Sequence, residues 1–274
     1  MSSTRSDFRL AAVSNICQAI TVNAAVILVG HGSPRVSRPA ADLNRIALAL
    51  RQREGFAAVE VAMLNGSGGR PADVFARVAA DRAVVVPIMM CDGQTVHRDI
   101  PHAFADIDPA RLTFCPPVGT HPGLAALITK RASVAAHRMG TLPENAVLLL
   151  IAHGSTRNAA SEQATLLQAR RLAEARVFRA VAAAYLEQPP SIADTLEQQQ
   201  GPVIAVGLFA AAGRHATHDV DDALAAAGRA DVTYLGPIGT DPGIAALVAS
   251  LVRACAGADG AEAAGCAYLP DGTA

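Results

Sequence analysis

The chain has 274 residues, of which 51% are hydrophobic and 17% charged, so it can bury a sizeable core and does not have a disordered protein's composition. A formal net charge of −1 argues against non-specific nucleic-acid binding, which needs faces rich in Lys and Arg. The five cysteines form no CxxC pair, no apolar run reaches the roughly 20 residues of a transmembrane helix, and no signal-peptide pattern opens the chain, so a cytoplasmic protein with free thiols is expected.

In chain order, the first half alternates short apolar runs with amphipathic stretches. The apolar runs lie at 25–29, 59–64, 83–90 and 112–115. They are continuous rather than alternating, which is typical of parallel strands covered on both faces. Residues 39–55 instead place apolar side chains every three to four positions and predict a helix. This strand–helix order indicates a parallel, right-handed, doubly wound sheet.

The second half repeats the first. Matching apolar runs lie at 146–152, 180–186, 203–209 and 232–236, and a matching helix is predicted at 161–177. LTFCPPVGTHPGLAALI at 112–128 aligns with VTYLGPIGTDPGIAALV 120 residues later. Because two copies are too few for a solenoid, we predict two tandem, similar α/β domains related by a pseudo-dyad. Their bounds are 23–141 and 142–274, after an N-terminal extension at 1–22 and with a short Gly/Ala-rich tail at the end.

Side chains suited to binding a ligand follow three strands of the second copy. His153 follows the first strand in AHGST, Glu187 the second in YLEQPPSI, and His215 the third in GRHATHD. Because ligands bind beyond the carboxyl ends of strands in open α/β sheets, the three are expected to converge. Taken alone, each histidine is better explained by a loop or capping role than by a ligand role, and the glycines are explained by tight turns. Three at one sheet edge favour a site.

Together, the strand ending in HGS, YLEQPPSI and GRHATHD resemble the class II tetrapyrrole chelatases, including their double-length form, over about residues 24–250. The resemblance implies a chelatase-like fold and a lyase that inserts Co²⁺ or Fe²⁺ into sirohydrochlorin during cobalamin or sirohaem biosynthesis, with Ni²⁺ as a third metal. It implies no permanently bound cofactor, because the divalent metal is a substrate. The expected partners are the tetrapyrrole and the metal ion, without nucleic acid or membrane, and the internal duplication suggests a monomer.

The resemblance carries the metal-binding and catalytic roles over to His153, His215 and Glu187. The histidines would hold the metal and take pyrrole protons, and Glu187 would complete the metal sphere or relay protons. In the first copy His31 matches, but Asn65 and Thr95 stand where the glutamate and the second histidine should be. Double-length members usually have their site in the N-terminal half, whereas here the full set lies in the C-terminal half.

The predicted substrate-binding residues surround this set. They are Arg157, Arg214, Ser155 and His31, and the corresponding arginines of the first half are Arg35 and Arg98. Guanidinium groups pair with carboxylates through two hydrogen bonds, which suits a polycarboxylate substrate, although each arginine is also explained as a solvated surface residue.

Two alternatives stay open at this point. Met89, Met90 and Cys91 end an apolar strand and are explained either as core packing, which is favoured, or as soft metal ligands together with His97. A non-catalytic metal or tetrapyrrole carrier would use the same cleft as a chelatase.

Overall fold

A computed structural model describes residues 22–33, 38–53, 56–66, 69–78 and 80–257. Residues 1–21 of the predicted N-terminal extension, the tail beyond residue 257 and Arg35 lie outside the described residues.

The first half forms a four-stranded, fully parallel sheet. Its strands are β1 (Val22–Ser33), β2 (Phe56–Gly66), β3 (Ala83–Pro87) and β4 (Leu112–Phe114). Its helices are α1 (Arg38–Arg51), α2 (Pro71–Arg77), α3 (Ile100–His102) and α4 (Gly123–Arg138). The strand order is β2-β1-β3-β4.

The second half repeats this sheet in the order β6-β5-β7-β8, again with all strands parallel. Its strands are β5 (Val147–Ala152), β6 (Ala180–Tyr185), β7 (Val203–Gly207) and β8 (Val232–Pro237). Its helices are α5 (Ala160–Glu174), α6 (Ile192–Glu197), α7 (Val220–Ala226) and α8 (Ile244–Gly257). All eight predicted strands and both predicted helices are present, which confirms the fold class. No helix in the described part of the chain has the length and apolar character needed to cross a membrane.

The continuous apolar strands are covered on both faces. Every residue of β3, β5 and β7 is buried. Along β5, Leu148 and Leu150 face a core shared by the two halves, whereas Leu149 and Ile151 face an outer core against α6 and α7. The molecule therefore has five layers, in which one central helical layer separates two sheets and an outer helical layer covers each of them. This burial is the physical reason for the continuous apolar pattern.

The two halves exchange their last helices. Helix α4 packs on β7 and β8 of the second sheet, and α8 packs on β1, β3 and β4 of the first. A Cβ atom placed on Gly123 would lie 2.9 Å from Leu247, and one on Gly243 would lie 2.4 Å from Leu127. Since each of these residues has its counterpart 120 positions away, the contacts are reciprocal, as two-fold symmetry requires. The domain bounds at 141 and 142 stay a prediction, because the central core belongs to both copies.

Arg131 on α4 secures this exchange. Its guanidinium donates hydrogen bonds to the carbonyl oxygens of Leu235 and of Pro237, the latter at 3.1 Å, and lies 4.0 Å from the Asp241 carboxylate. We expect Arg131→Ala to lower the free energy of unfolding by about 1–3 kcal/mol, because hydrogen bonds from a charged donor are lost. The matched control is Lys130→Ala on the exposed neighbour, with an expected change within about 0.5 kcal/mol. Urea denaturation measures both, and equal effects would contradict this role for Arg131.

Candidate functional site

The carboxyl ends of both sheets meet at a shared cleft of about 700 Å³. The first half contributes His31 from β1 and the segment Met89–Cys91 after β3, and the second half contributes His153 after β5 and Leu208–Ala210 after β7. These are the ends of the central strands in each sheet, where an open α/β sheet places its ligand. The volume lies within the roughly 300–1,000 Å³ of small-molecule sites.

The methionines of the first wall pack on the core and also line the cleft. Met89 contacts the outer core of the first half, and Met90 contacts the shared core. Burial, and next the Asp92 charge, raise the pKa of the Cys91 thiol, which disfavours the thiolate needed for metal binding. His97 lies 3.1 Å from an Asp92 carboxylate oxygen. The structure therefore supports packing rather than a soft metal site.

The glycine in each HGS motif is required by the turn that presents the histidine. Gly154 has a φ of +74°, and a Cβ atom there would lie 2.9 Å from the Cβ of Tyr185 on the neighbouring strand. Gly32 has a φ of +72°, and its Cβ would lie 1.9 Å from the Asn65 carbonyl oxygen. Only glycine combines this left-handed backbone with such a close approach.

The serine of the second motif stabilises the same loop. The Ser155 hydroxyl accepts a hydrogen bond from the Arg157 backbone N–H at 3.1 Å, and the Ser155 N–H donates to Gln188 Oε1 at 2.6 Å. Its predicted part in substrate binding stays a prediction. Sequence reasoning missed Gln188, and the available signal was its position directly after Glu187 in YLEQPPSI.

The two imidazoles of the second half are in direct contact. The rings of His153 and His215 lie edge to face, with centroids 4.5 Å apart and an interplanar angle of 81°. His215 Nδ1 lies 2.6 Å from Asp219 Oδ2. His153 Nδ1 lies 3.1 Å from the Gly154 carbonyl oxygen and 3.5 Å from Glu187 Oε2. Because carbonyl and carboxylate oxygens accept hydrogen bonds, Nδ1 carries the proton in each neutral ring and Nε2 keeps a lone pair for a ligand.

Asp219 orients His215 through local backbone geometry. Residues His215–Asp219 form a single π-helical turn that brings the two side chains together, and Asp219 also accepts a hydrogen bond from Arg214 Nε at 3.3 Å. Burial acts to raise the pKa of Asp219, but the hydrogen bonds from His215 and Arg214 outweigh it and hold that pKa below its usual value. The carboxylate is therefore ionised at neutral pH and oriented toward His215.

Glu187 lies beside the proton-bearing nitrogen of His153. Its side chain is 56% exposed, so it has room to turn toward another partner. Among the residues that the structure describes, no three His, Cys, Asp or Glu side chains are spaced to hold a metal ion together. The structure thus brings His153 into contact with both His215 and Glu187, and the complete three-ligand set stays a prediction.

The first half lacks an equivalent pair. Asn65, at the place of Glu187, donates a hydrogen bond through Nδ2 to the His31 carbonyl oxygen at 3.2 Å. Thr95 begins the corresponding π-helical turn, Thr95–Asp99, and lines the cleft. His31 lines the cleft together with His153. Among the described residues that line the cleft, the second half therefore contributes two imidazoles and the first half contributes one.

The predicted arginines differ in their placement. Arg98 lines the cleft. Arg157 and Arg214 are exposed and lie outside the set of described residues that line it. Their substrate-binding roles stay predictions.

Comparisons with known proteins match both halves. The CbiX family model matches residues 25–135 and again residues 147–255. A probable sirohydrochlorin cobaltochelatase of Halobacterium salinarum is 27% identical over 262 residues, covering 80% of this chain and 87% of the relative. The solved structure of CbiX, described as the terminal enzyme of siroheme biosynthesis in denitrifying bacteria, is 28% identical, covers 84% of this chain and 98% of its own, and has a TM-score of 0.69.

A third similar protein is longer. A multi-domain protein of Deinococcus radiodurans with structural similarity to chelatases is 23% identical and has a TM-score of 0.70. The match covers 84% of this chain but 54% of that protein, so the present chain spans about half its length. This likeness shows the fold alone.

Proposed function

The chain belongs to the CbiX family, and from this we propose that it is a chelatase that inserts a divalent metal, Co²⁺ or Fe²⁺, into sirohydrochlorin. The names of the two relatives with 27% and 28% identity, a cobaltochelatase and a siroheme enzyme, support this substrate and these metals. The single observation that carries the proposal is the His153–His215 pair, with both Nε2 atoms left for a ligand at the shared cleft. Imidazole is a suitable ligand for cobalt, ferrous iron and nickel alike.

The number of proton acceptors matches the reaction. Insertion of a divalent metal displaces two pyrrole protons, and the site has two imidazoles, each with a carboxylate near Nδ1. As the metal passes from the imidazoles to the macrocycle, each freed Nε2 accepts one proton. Asp219 then stabilises the His215 imidazolium through its contact with Nδ1–H, and the Glu187 carboxylate, 3.5 Å from His153 Nδ1, stabilises the His153 imidazolium by its charge. In this mechanism Glu187 acts on a proton, and its predicted place in the metal sphere stays a prediction.

The rest of the cleft suits a flat, carboxylated macrocycle. Met89, Met90 and Phe209 provide apolar surface for the ring face. Arg98 in the wall, and Arg157 and Arg214 outside it, would pair with peripheral carboxylates. We further propose that the protein is a monomer, because the internal duplication supplies both walls of the cleft. We also propose that it is cytoplasmic and has no permanently bound cofactor, since the divalent metal is a substrate.

A turnover assay tests the function. The protein is incubated anaerobically with excess sirohydrochlorin and Co²⁺, Fe²⁺ or Ni²⁺ in parallel, and the visible spectrum is followed against protein-free mixtures. Multiple turnovers faster than spontaneous insertion are expected for at least one metal. Binding of the tetrapyrrole or the metal without turnover would contradict the chelatase and would instead support a non-catalytic carrier.

Asp219→Asn tests the orientation of His215. An amide in place of the carboxylate weakens the hydrogen bond that orients His215 through Nδ1–H, so we expect Co²⁺ affinity to fall by about 10–100-fold. The matched control is Asp99→Asn, which alters the equivalent position of the first half and is expected to leave the affinity within about twofold. Isothermal titration with Co²⁺ measures both, and equal losses would contradict a specific role for Asp219.

A further inference from the structure

A buried carboxylate of the first half reaches the loop that carries His215. Asp42 on α1 is 2% exposed. Its Oδ2 accepts a hydrogen bond from the Ala212 backbone N–H at 2.8 Å, and its Oδ1 pairs with Arg45, whose side chain is 67% exposed. Because a buried charge is costly unless it is paired and hydrogen-bonded, this contact is a specific feature of the interface between the halves.

The loop that Asp42 contacts connects β7 to the histidine. Residues 208–214 have no regular secondary structure, and the π-helical turn begins at His215. At the start of this loop, the Phe209 carbonyl oxygen accepts a hydrogen bond from the Gly239 N–H at 3.0 Å. Near its end the packing is open, since a Cβ atom on Gly213 would meet no atom within 4 Å. Asp42 thus fixes the loop at Ala212, three residues before His215.

The duplicate helix has no such carboxylate. In this part of the repeat, equivalent residues are 122 positions apart, as His31 and His153 are. The equivalent of Asp42 is therefore Ala164 on α5, which lines the cleft. Helix α5 instead donates hydrogen bonds from Gln168 to the Gly119 carbonyl oxygen at 2.8 Å and from Arg171 to the Thr120 carbonyl oxygen at 2.9 Å. Each half therefore holds a loop of the other. The first half, which has Thr95 in place of the second histidine, thus provides the Asp42 carboxylate that holds the loop leading to His215.

We propose that Asp42 is a positioning residue for His215. It acts through the Ala212 backbone, and it keeps the loop in the conformation that presents His215 Nε2 to the cleft beside His153. Arg45 serves to neutralise the buried charge and takes no part in the positioning. The first half thereby contributes to the site of the second half although it lacks the glutamate and the second histidine. The proposal rests on the proposed function for the role of His215 in metal insertion.

Three variants of the full chain test the proposal. Asp42→Ala removes the acceptor, Asp42→Asn keeps an amide oxygen that can accept from Ala212, and Arg45→Ala removes only the counter-ion. For Asp42→Ala we expect Co²⁺ affinity and kcat to fall by about 10-fold or more, as for other residues that orient ligands. KM for sirohydrochlorin should change by less than about twofold, because the other walls of the cleft are unaltered. Asp42→Asn and Arg45→Ala should stay within about twofold of the parent protein in all three quantities.

A spectroscopic readout separates positioning from general destabilisation. In protein labelled with ¹⁵N-histidine, the His215 ring resonances should shift or broaden in Asp42→Ala and keep their positions in Asp42→Asn. If Asp42→Ala does not fold by circular dichroism, Ala212→Pro removes the same hydrogen bond from the donor side and should produce the same losses. Unchanged His215 resonances and affinity in the folded variant that lacks this bond would overturn the proposal, as would an equal loss in Arg45→Ala.

Failure of this proposal is distinguishable from failure of the proposed function. The Co²⁺ titration and the histidine spectra require no turnover. A parent protein that binds Co²⁺ but never inserts it would contradict the chelatase and leave the positioning test intact. A parent protein that turns over, with an Asp42→Ala variant that performs equally well, would overturn the positioning role alone.

Discussion

Metal insertion is expected to be lost in His215→Ala, with kcat/KM at least about 100-fold below that of the parent protein. The substitution removes one of the two Nε2 lone pairs, one of the two proton acceptors and the partner of Asp219. His153→Ala should cause a loss of the same order, because the two rings contact each other and act on the same metal. The measurement is the initial rate of the change in visible absorbance with sirohydrochlorin and Co²⁺ under anaerobic conditions.

The duplicated fold supplies the matched control. Thr95 begins the corresponding π-helical turn of the first half and lines the same cleft. Thr95→Ala therefore tests whether disturbance of the cleft alone reduces the rate, and we expect kcat/KM to stay within about twofold. The result that would contradict the assignment is loss of activity in His31→Ala together with retained activity in His215→Ala. That outcome would place the working site in the first half.

Gly239→Ala is expected to lower the free energy of unfolding by about 3 kcal/mol or more, at the upper end of overpacking effects. A Cβ atom on Gly239 would lie 2.2 Å from the Ala210 carbonyl oxygen and 2.6 Å from the Ala210 Cα. These are backbone atoms, so no side-chain rotation relieves the clash, and the 208–214 loop must move. Because this loop leads to His215, Co²⁺ affinity should fall together with stability.

Two further glycine substitutions separate the effect of the backbone clash on stability from its effect on the loop that leads to His215. Gly213→Ala lies in the same loop but meets no atom within 4 Å, so the free energy of unfolding should change by less than about 0.5 kcal/mol. Gly119→Ala introduces the equivalent clash in the first half, 2.1 Å from the Met90 carbonyl oxygen. It should destabilise the protein as much as Gly239→Ala while affecting Co²⁺ affinity less, since Met90 leads to Thr95 rather than to a histidine. Urea denaturation and Co²⁺ titration of the three variants check these expectations, and a Gly239→Ala variant as stable as the Gly213→Ala variant would contradict them.

The sequence by itself determined the fold class. Continuous apolar runs such as 146–152 are local signals, because a strand covered on both faces needs apolar residues at successive positions. The repeat at an offset of 120 residues indicated the duplication and its symmetry without any tertiary information. The sequence also predicted that His153, Glu187 and His215 follow strands at one edge of the second sheet, because parallel strands bring their carboxyl ends together. Their joint role as a ligand set stays a prediction.

Other features depended on the tertiary structure. Asp42 reads in the sequence as an ordinary polar residue of an amphipathic helix, yet it is buried and bonded to Ala212, 170 residues away. The exchange of α4 and α8 is equally invisible, since each helix has the same apolar face whichever sheet it covers. The position of Glu187 beside Nδ1 of His153, rather than at a common point with both imidazoles, depends on side-chain rotamers and on the turn at Gly154.

The physical reason for this division is the range of the interactions. Periodicity and strand order record what each segment needs locally, namely one or two apolar faces and a turn. The loop anchor, the helix exchange and the orientation of the imidazoles arise from contacts between the two copies. Those contacts exist only once both sheets have packed on the central helical layer, and no local pattern of residues encodes them.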